Sequence, residues 1–177
     1  MNRLSGRNRK MVLLAHIVSA AAWFGLDLAL GILVVVSLVA SPRTAGMAIQ
    51  AVDLFAIWPM FVASLVCLIS GAILSVTSKY GLVRYWWVAI KLAFNVIMSV
   101  LILFSLRPGV AEAARIGERM LAGDSSVSVS AHMLGPVVVA PTMLLISYVL
   151  SVFKPLGRVR KQAVVPRPRH AELAKSN

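Results

Sequence analysis

The sequence predicts an all-α membrane protein, an antiparallel bundle of four transmembrane helices. The chain has 177 residues, of which 59% are hydrophobic and 14% are charged, whereas about a quarter of the residues in a soluble domain are charged. Its mean hydropathy is +0.86. Most charged residues lie at the termini and in short intervals between long apolar stretches. Together these observations are typical of a polytopic membrane protein.

Four apolar windows are long enough to cross a bilayer: residues 12–39, 54–76, 86–106 and 131–153. Each reaches the ~20 residues that a helix needs to span ~30 Å of hydrocarbon. Backbone polar groups in lipid must pair within their own segment, which favours helices, and the alternating ~10-residue pieces of a membrane barrel are not seen. The first window is longer than a bilayer requires, so we predict an uncleaved helix that tilts or protrudes rather than a signal peptide.

The segments between the windows predict the order of the helices. The loops 40–53 and 77–85 are short, which favours antiparallel neighbours. The loop 107–130 is the long one, and Pro108 and Gly123 in it predict the start and end of a short helix near the headgroups. This helix is a spacer or, as the alternative, a lid over a binding site. The remaining segments are the basic N-terminus, 1–11, and a basic tail, 154–177, that we expect to be mostly disordered.

The distribution of lysine and arginine predicts the orientation in the membrane. Thirteen of these residues lie in the two termini and the loop 77–85, against four in the other two loops. The positive-inside rule therefore places both termini in the cytoplasm of a bacterial cell and the protein in its inner membrane. The net charge of +12 is explained by these tails, which attract anionic lipid headgroups. No motif for binding nucleic acid accompanies the charge.

Ionisable residues inside the windows are few: His16, Asp27, Lys91 and, at the edge of the last window, His132. A carboxylate or ammonium group at mid-bilayer costs about 2.5–3.5 kcal/mol, so it normally has a partner or a function. His16, Trp23 and Asp27 fall on one face of the first helix, and Lys91 and Asn95 on one face of the third. For Lys91 the alternative is an ammonium group that reaches the headgroups, and for His132 a residue that marks the membrane boundary.

Depth along the helices divides these residues into two levels. His16 and Lys91 are predicted to lie level with one another, in a shared pocket near the cytoplasmic side. Asp27 lies eleven residues further along its helix, or about 16 Å deeper. Ser64, Ser99 and Thr142 share that level, and we predict that some of them hydrogen-bond Asp27, whose burial favours the protonated carboxyl group without fixing its state. Cys67 is the one cysteine, so there is no disulfide framework and no CxxC motif, and the sequence assigns no metal site.

Three stretches resemble a family of uncharacterised four-helix bacterial membrane proteins common in actinobacteria: LLAHIVSAAAWFG (13–25), RYWWVAIKLAFNV (84–96) and SVFKPLGR (151–158). More remotely, the histidine ahead of Trp-Phe-Gly and the Trp-x-x-x-Lys-Leu pattern are similar to copper-resistance D-type proteins and to four-helix membrane protoporphyrinogen IX oxidases. The resemblance implies a haem b site with His16 as ligand and Lys91 as its companion, and Trp23 and Asn95 as further candidates. The sequence lacks the aromatic and basic signature that follows the first tryptophan in the oxidases.

The sequence defines no molecular activity, and the function predicted by default is that of a small integral membrane protein, an accessory or assembly component rather than an enzyme. Its partners would be the lipid bilayer and anionic headgroups, with a homo-oligomer as an alternative and no nucleic acid. Two other functions compete with it. One is a haem- or metal-binding redox protein that uses His16 and Lys91, and the other is a proton or solute pathway through Asp27. No phosphate loop or nucleophile motif supports a soluble type of enzyme.

Overall fold

The structure, a computed structural model, describes residues 5–78, 82–124 and 126–153. This part of the chain contains six α-helices: α1 (Gly6–Val39), α2 (Pro42–Ala56), α3 (Trp58–Val76), α4 (Trp86–Leu101), α5 (Arg107–Leu121) and α6 (Leu134–Phe153). A π-helical turn, Ile102–Leu106, joins α4 to α5, and a 3₁₀ turn, Ala131–Met133, precedes α6. The basic tail 154–177 lies outside the described residues.

The helices form four antiparallel rods, and the all-α four-helix bundle predicted from the sequence is confirmed. The rods are α1, α2 with α3, α4 with α5, and α6 with its 3₁₀ turn; each is long and apolar enough to cross a membrane. This indicates a multi-pass membrane protein. We call the end that carries the start of α1 and the α3–α4 connection the terminal end. The opposite end, with the α1–α2 and α5–α6 connections, is the distal end.

The segment predicted as the loop 40–53 is instead helical, because α2 occupies Pro42–Ala56. Ser41 and Pro42 supply a usual helix start. Buried small and apolar residues recur at helical spacing and pack α2 against α1 and α5: Ala45, Ala48, Ile49 and Val52. A break at Ile57 separates α2 from α3, and Pro59 in the first turn of α3 explains it, because proline has no N–H to continue the hydrogen-bond ladder.

The long loop predicted for residues 107–130 is likewise mostly helix. The chain runs from α4 through the π-helical turn into α5, where the Arg107 N–H bonds the Ile102 carbonyl. Pro108 follows in the first turn of α5 and cannot donate to the carbonyl of Phe104, which is consistent with the wider turn just before it. One face of α5 is buried on α2 through Val110, Ala113, Gly117 and Met120. The predicted spacer is thus part of the packed bundle.

Two glycines allow α2 and α5 to cross closely. A Cβ atom at Gly46 would lie 2.9 Å from the carbonyl oxygen of Gly117, and one at Gly117 would lie 3.0 Å from Ile49. Gln50 strengthens the crossing by donating from Nε2 to the carbonyl of Ala114 over 2.8 Å. Small residues that bring helix backbones together are a common means of packing in membrane bundles.

The α6 helix closes only part of the bundle. It packs along α1, where a Cβ atom at Gly31 would lie 3.1 Å from a Val137 methyl group. Near its C-terminal end it packs on α4 through a cluster of Leu150 with Trp87 and Val88. Its contact with the π-helical turn and with α5 is slight. A gap therefore separates the distal half of α6 from the rod formed by α4 and α5.

Candidate functional site

His16 is tied to α3. Its Nδ1 lies 3.0 Å from the carbonyl oxygen of Cys67 and 3.1 Å from Oγ of Ser70. Because a carbonyl oxygen only accepts, Nδ1 carries the proton in this contact. The imidazole also covers Gly71, where a Cβ atom would lie only 2.9 Å from Cε1. His16 therefore helps to pack α1 on α3, and this tautomer leaves the Nε2 lone pair as the one able to bind a metal.

Lys91 contacts a different helix. Its Nζ donates to Oγ of Ser151 on α6 over 2.7 Å and lies 5.0 Å from the centre of the Trp87 ring. The ammonium group still lies close enough to act electrostatically on His16. The two residues are thus near each other but bond to opposite neighbours, α3 and α6. Haem b binding by this pair stays a prediction, as does the part assigned to Trp23 and Asn95.

A chain of small polar groups links α3 to α4 in the middle of the bundle. Ser99 donates to Oγ of Ser64 over 3.1 Å, and its Oγ also lies 2.8 Å from the carbonyl oxygen of Asn95. Ser64 in turn donates to the carbonyl of Phe61 over 2.8 Å. Both hydroxyl groups are buried and already have partners. They serve to join two helices rather than to bind anything else.

Asp27 does not have the partners predicted for it. It is only 5% exposed, yet its Oδ2 is buried without a hydrogen-bond partner among the described residues. Ser64 and Ser99 bond to each other instead, because their hydroxyl protons are already donated within that pair and to Phe61. Thr142 is exposed and donates to the carbonyl of Val138 on its own helix, so its prediction as a buried polar residue is wrong.

Trp23 lies one turn below Asp27 on the same face of α1. It is fully buried at the centre of the main hydrophobic cluster, and its Nε1 also lacks a partner among the described residues. The ring fills the interior between Asp27 and the polar contacts around His16. The space on the distal side of Asp27 is different, since neither Trp23 nor His16 borders it.

A cavity of about 580 Å³ lies on that side, with Asp27 in its wall. Its volume is in the range of small-molecule sites. All the rods contribute to it, and most of its lining is apolar: Leu30 and Val34 from α1, Val52 and Ala56 from α2, Met60 from α3, Met98 from α4, Val110 and Ala113 from α5, and Val137 and Ala140 from α6. Asp27 is the one ionisable group deep in the cavity.

The distal mouth of the cavity is polar. Glu112, Ser130 and His132 line it and are exposed. Glu112 also forms a loose surface ion pair with Arg115 at 3.7 Å. His132, predicted as a marker of the membrane boundary, lies in the 3₁₀ turn before α6. The cavity thus combines two carboxyl groups, one inside and one at the mouth, with apolar walls between them.

The sequence reasoning identified Asp27 but missed the cavity beside it. The missed lining residues come from all the rods, and they include residues of α5, which was predicted only as a short helix near the headgroups, and of the π-helical turn, which was predicted as the end of the third membrane helix. The pattern of Val110, Ala113, Gly117 and Met120 at helical spacing indicates a buried face. That pattern could have predicted that one face of α5 is buried, but not that α5 helps to enclose a cavity beside Asp27.

The cavity offers a buried carboxyl group within apolar walls, an arrangement that suits the binding of a ligand. Among the described residues no group of three or more His, Cys, Asp and Glu side chains could hold a metal ion. No protein-family model matches the chain, and neither a curated protein nor a solved structure matches it at a significant level. Its function must therefore be inferred from the Asp27 cavity itself, and the resemblance to four-helix bacterial proteins stays a prediction.

Proposed function

We propose that the protein is a multi-pass protein of the bacterial cytoplasmic membrane that binds a lipophilic organic monocation at Asp27, as a component of a solute pathway. The observation that supports this proposal most directly is the buried Oδ2 of Asp27, which has no described partner and borders a large apolar cavity. A group of this kind is costly in lipid unless it serves a purpose.

The energetics favour a cation as the occupant. An ionised carboxylate loses its hydration when it is buried, and a positive charge at contact distance compensates for that loss much better than a neutral group does. Among the described residues no ion pair with Asp27 is found, and the Lys91 ammonium group donates to Ser151 on α6. A ligand that brings its own cationic nitrogen would complete the pair.

The apolar walls favour a ligand whose remaining surface is hydrocarbon or aromatic. Burial of apolar surface contributes about 25 cal/mol per Å². Methionine side chains at Met60 and Met98 border the cavity, and their flexible thioether groups adapt to ligands of different shape. We therefore infer a preference for lipophilic cations over small inorganic ones.

The orientation inferred from the basic residues gives the cavity a direction. With both termini in the cytoplasm, the distal end and the cavity mouth face the outside of the cell. The carboxylate of Glu112 at the mouth would attract cations from that side. In this arrangement the protein takes up its ligand in the outer half of the membrane.

The test is the binding of decylamine to the purified protein in mild detergent, measured by calorimetry, with 1-decanol as the neutral probe of equal length. We expect Asp27→Asn to weaken decylamine binding at least about thirtyfold, since loss of one partner of a buried ion pair costs about 2 kcal/mol or more. The matched control is Asp53→Asn, which alters an exposed carboxylate on α2 outside the cavity.

The neutral probe decides whether charge matters. Weak decanol binding that is equal in the wild type and in Asp27→Asn would support the proposal. Decanol binding as tight as that of decylamine, or an unchanged decylamine affinity in Asp27→Asn, would contradict it. Asparagine has nearly the same shape as aspartate, so we expect the folded yield of this variant to match that of the wild type.

A further inference from the structure

The gap between α6 and the α4–α5 rod gives the cavity a second opening. Leu101 and Ser105 border the cavity on one side of this gap, and Pro136 and Val139 border it on the other. All four residues are exposed as well. Leu101 is 42% exposed and Val139 47%. Residues that both line a cavity and face outward form the edges of an opening.

The height of this opening places it inside the membrane. Leu101 lies fifteen residues along the helix from Trp86, and Val139 lies fourteen residues from Phe153 at the same end of the bundle. At 1.5 Å per residue both are about 21–22 Å from the terminal end, within the ~30 Å of hydrocarbon. Glu112 and His132, at the distal mouth, lie about 39 Å and about 31 Å from the terminal end. They are therefore at or beyond the outer limit of the hydrocarbon.

The chemistry of the edges agrees with this placement. The lateral edges consist of Leu101, Val139, a proline and a serine, whereas the distal mouth carries Glu112 and His132. An acyl chain can pass between the apolar edges without losing contact with hydrocarbon. A ligand in water would instead have to pass the polar groups of the mouth and leave its hydration there.

We propose that the ligand enters sideways from the lipid, between the π-helical turn and the N-terminal half of α6, so that the natural ligands are membrane-dissolved amphiphiles with a cationic nitrogen. This inference rests on the proposed function of Asp27 and adds the source of the ligand and its route. Asp27 lies fifteen residues into the hydrophobic part of α1, counted from Val12, or about 22 Å, level with Leu101 and Val139. An amphiphile can therefore reach the carboxylate without crossing the bundle.

The π-helical turn contributes to the opening in a specific way. A residue added to a helical turn changes which side chains face the interior, and such turns are frequent at functional sites. Here Ser105 borders the cavity, whereas Phe104, its neighbour in the same turn, does not border it and is 77% exposed. The turn thus places Ser105 at the opening and leaves the adjacent Phe104 outside it.

These two positions, together with His132, allow the route to be tested. Ser105→Trp narrows the lateral opening, His132→Trp narrows the distal mouth, and Phe104→Trp is the control for adding an indole to the same turn. The measurement is the association rate of a decylamine that carries its dansyl group at the far end of the chain, so that the amine stays cationic, added from lipid vesicles to each variant in nanodiscs. We expect Ser105→Trp to slow association at least about tenfold, His132→Trp to slow it much less, and Phe104→Trp to leave the rate nearly unchanged.

A block of the route should slow association and dissociation together, so the dissociation rate of Ser105→Trp should fall as well. A slower rate in His132→Trp but not in Ser105→Trp would overturn the lateral route and favour entry from water. Equal rates in all variants would overturn it too. If the wild type binds no dansyl-decylamine, both this inference and the proposed function fail, whereas wild-type binding with unaffected rates defeats the lateral route alone.

Discussion

In the terminal half of the bundle His16 and Lys91 each bond to a neighbouring helix, and near the middle Ser99 bonds to Ser64. In the distal half Asp27 has a buried oxygen without a described partner, beside a cavity. The two halves are built from the same rods and have similarly apolar surroundings. The comparison teaches that a polar residue in a membrane helix holds helices together where its partners are complete, and indicates a binding site where they are not.

The difference has a cause in the packing of α6. At the terminal end α6 meets α4 through Leu150, Trp87 and Val88, so the four rods close on one another. Toward the distal end α6 stays with α1 while the α4–α5 rod follows α2. The rods separate there, and the space between them becomes the cavity. Three perturbations test this division, from the largest expected effect to the smallest.

Gly46→Ala should have the largest effect, because it forces apart the α2–α5 crossing that walls the cavity. The new Cβ atom would lie 2.9 Å from the backbone oxygen of Gly117, which cannot move without shifting the helix. We expect the free energy of unfolding to fall by about 3 kcal/mol, the upper end for overpacking, and ligand binding to weaken as well. Thermal unfolding in detergent measures the first effect and decylamine titration the second.

Gly109→Ala is the control for this change, since no atom lies within 4 Å of a Cβ placed there on α5. It should leave the melting temperature the same or slightly higher, because alanine favours a helix over glycine. Equal stability of Gly46→Ala and Gly109→Ala would mean that the α2–α5 crossing is not close. The proposed difference in packing between the terminal and distal halves would then be wrong.

Gly71→Ala should have a smaller effect, confined to the terminal half. A Cβ atom at this position would meet Cε1 of His16 at 2.9 Å, so the ring must shift and strain its contacts with Cys67 and Ser70. A side chain can move more easily than a backbone, and we expect a loss of about 1–2 kcal/mol in the free energy of unfolding. Decylamine affinity should not change.

The matched control is Gly25→Ala on α1, which has open space around the new Cβ atom. Thermal unfolding of both variants, with decylamine titration of each, separates stability from binding. Loss of ligand affinity in Gly71→Ala would show that the two halves are coupled, and the independence assigned to the distal cavity would be wrong.

The smallest expected effect lies in the connection between α5 and α6. Hydrogen bonds from the hydroxyl and backbone N–H of Ser126, and then from Arg119, lower the pKa of Asp124 from 3.8 to about 2. A lowered pKa stabilises the fold at pH values above 3.8, and this contribution is lost as the pH falls toward about 2. Asp124 is solvent-exposed in this connection, so the contribution is small.

Thermal unfolding between about pH 5 and about pH 2 can detect this contribution. Asp124→Asn should lower the melting temperature slightly at the higher pH. It should also make the melting temperature fall less on acidification than it does in the wild type. The control is Glu118→Gln, which changes an exposed carboxylate on α5. In this variant the melting temperature should fall on acidification as much as in the wild type. Identical pH profiles for the wild type and Asp124→Asn would show that the Asp124 contacts do not stabilise the connection.

Much of the architecture follows from short-range properties of the chain. Long apolar windows predict membrane helices because a backbone in lipid must satisfy its own hydrogen bonds. The same reasoning placed Asp27 inside a helix and marked it as costly. It failed for α2, because the modest hydrophobicity of this segment is also that of a loop. For α5 a short helix was predicted, but not its packing on α2, which depends on the close approach of Gly46 and Gly117.

The sequence by itself determined that the chain forms four apolar helical rods and that one of them carries a buried carboxyl group. Only the tertiary structure decided which polar groups meet, because a hydroxyl group such as that of Ser99 can bond Asp27 or Ser64 equally well until the helices are fixed in register. It also decided where the rods separate, because a cavity depends on the relative placement of side chains that lie more than a hundred residues apart, such as Asp27 and Ala140.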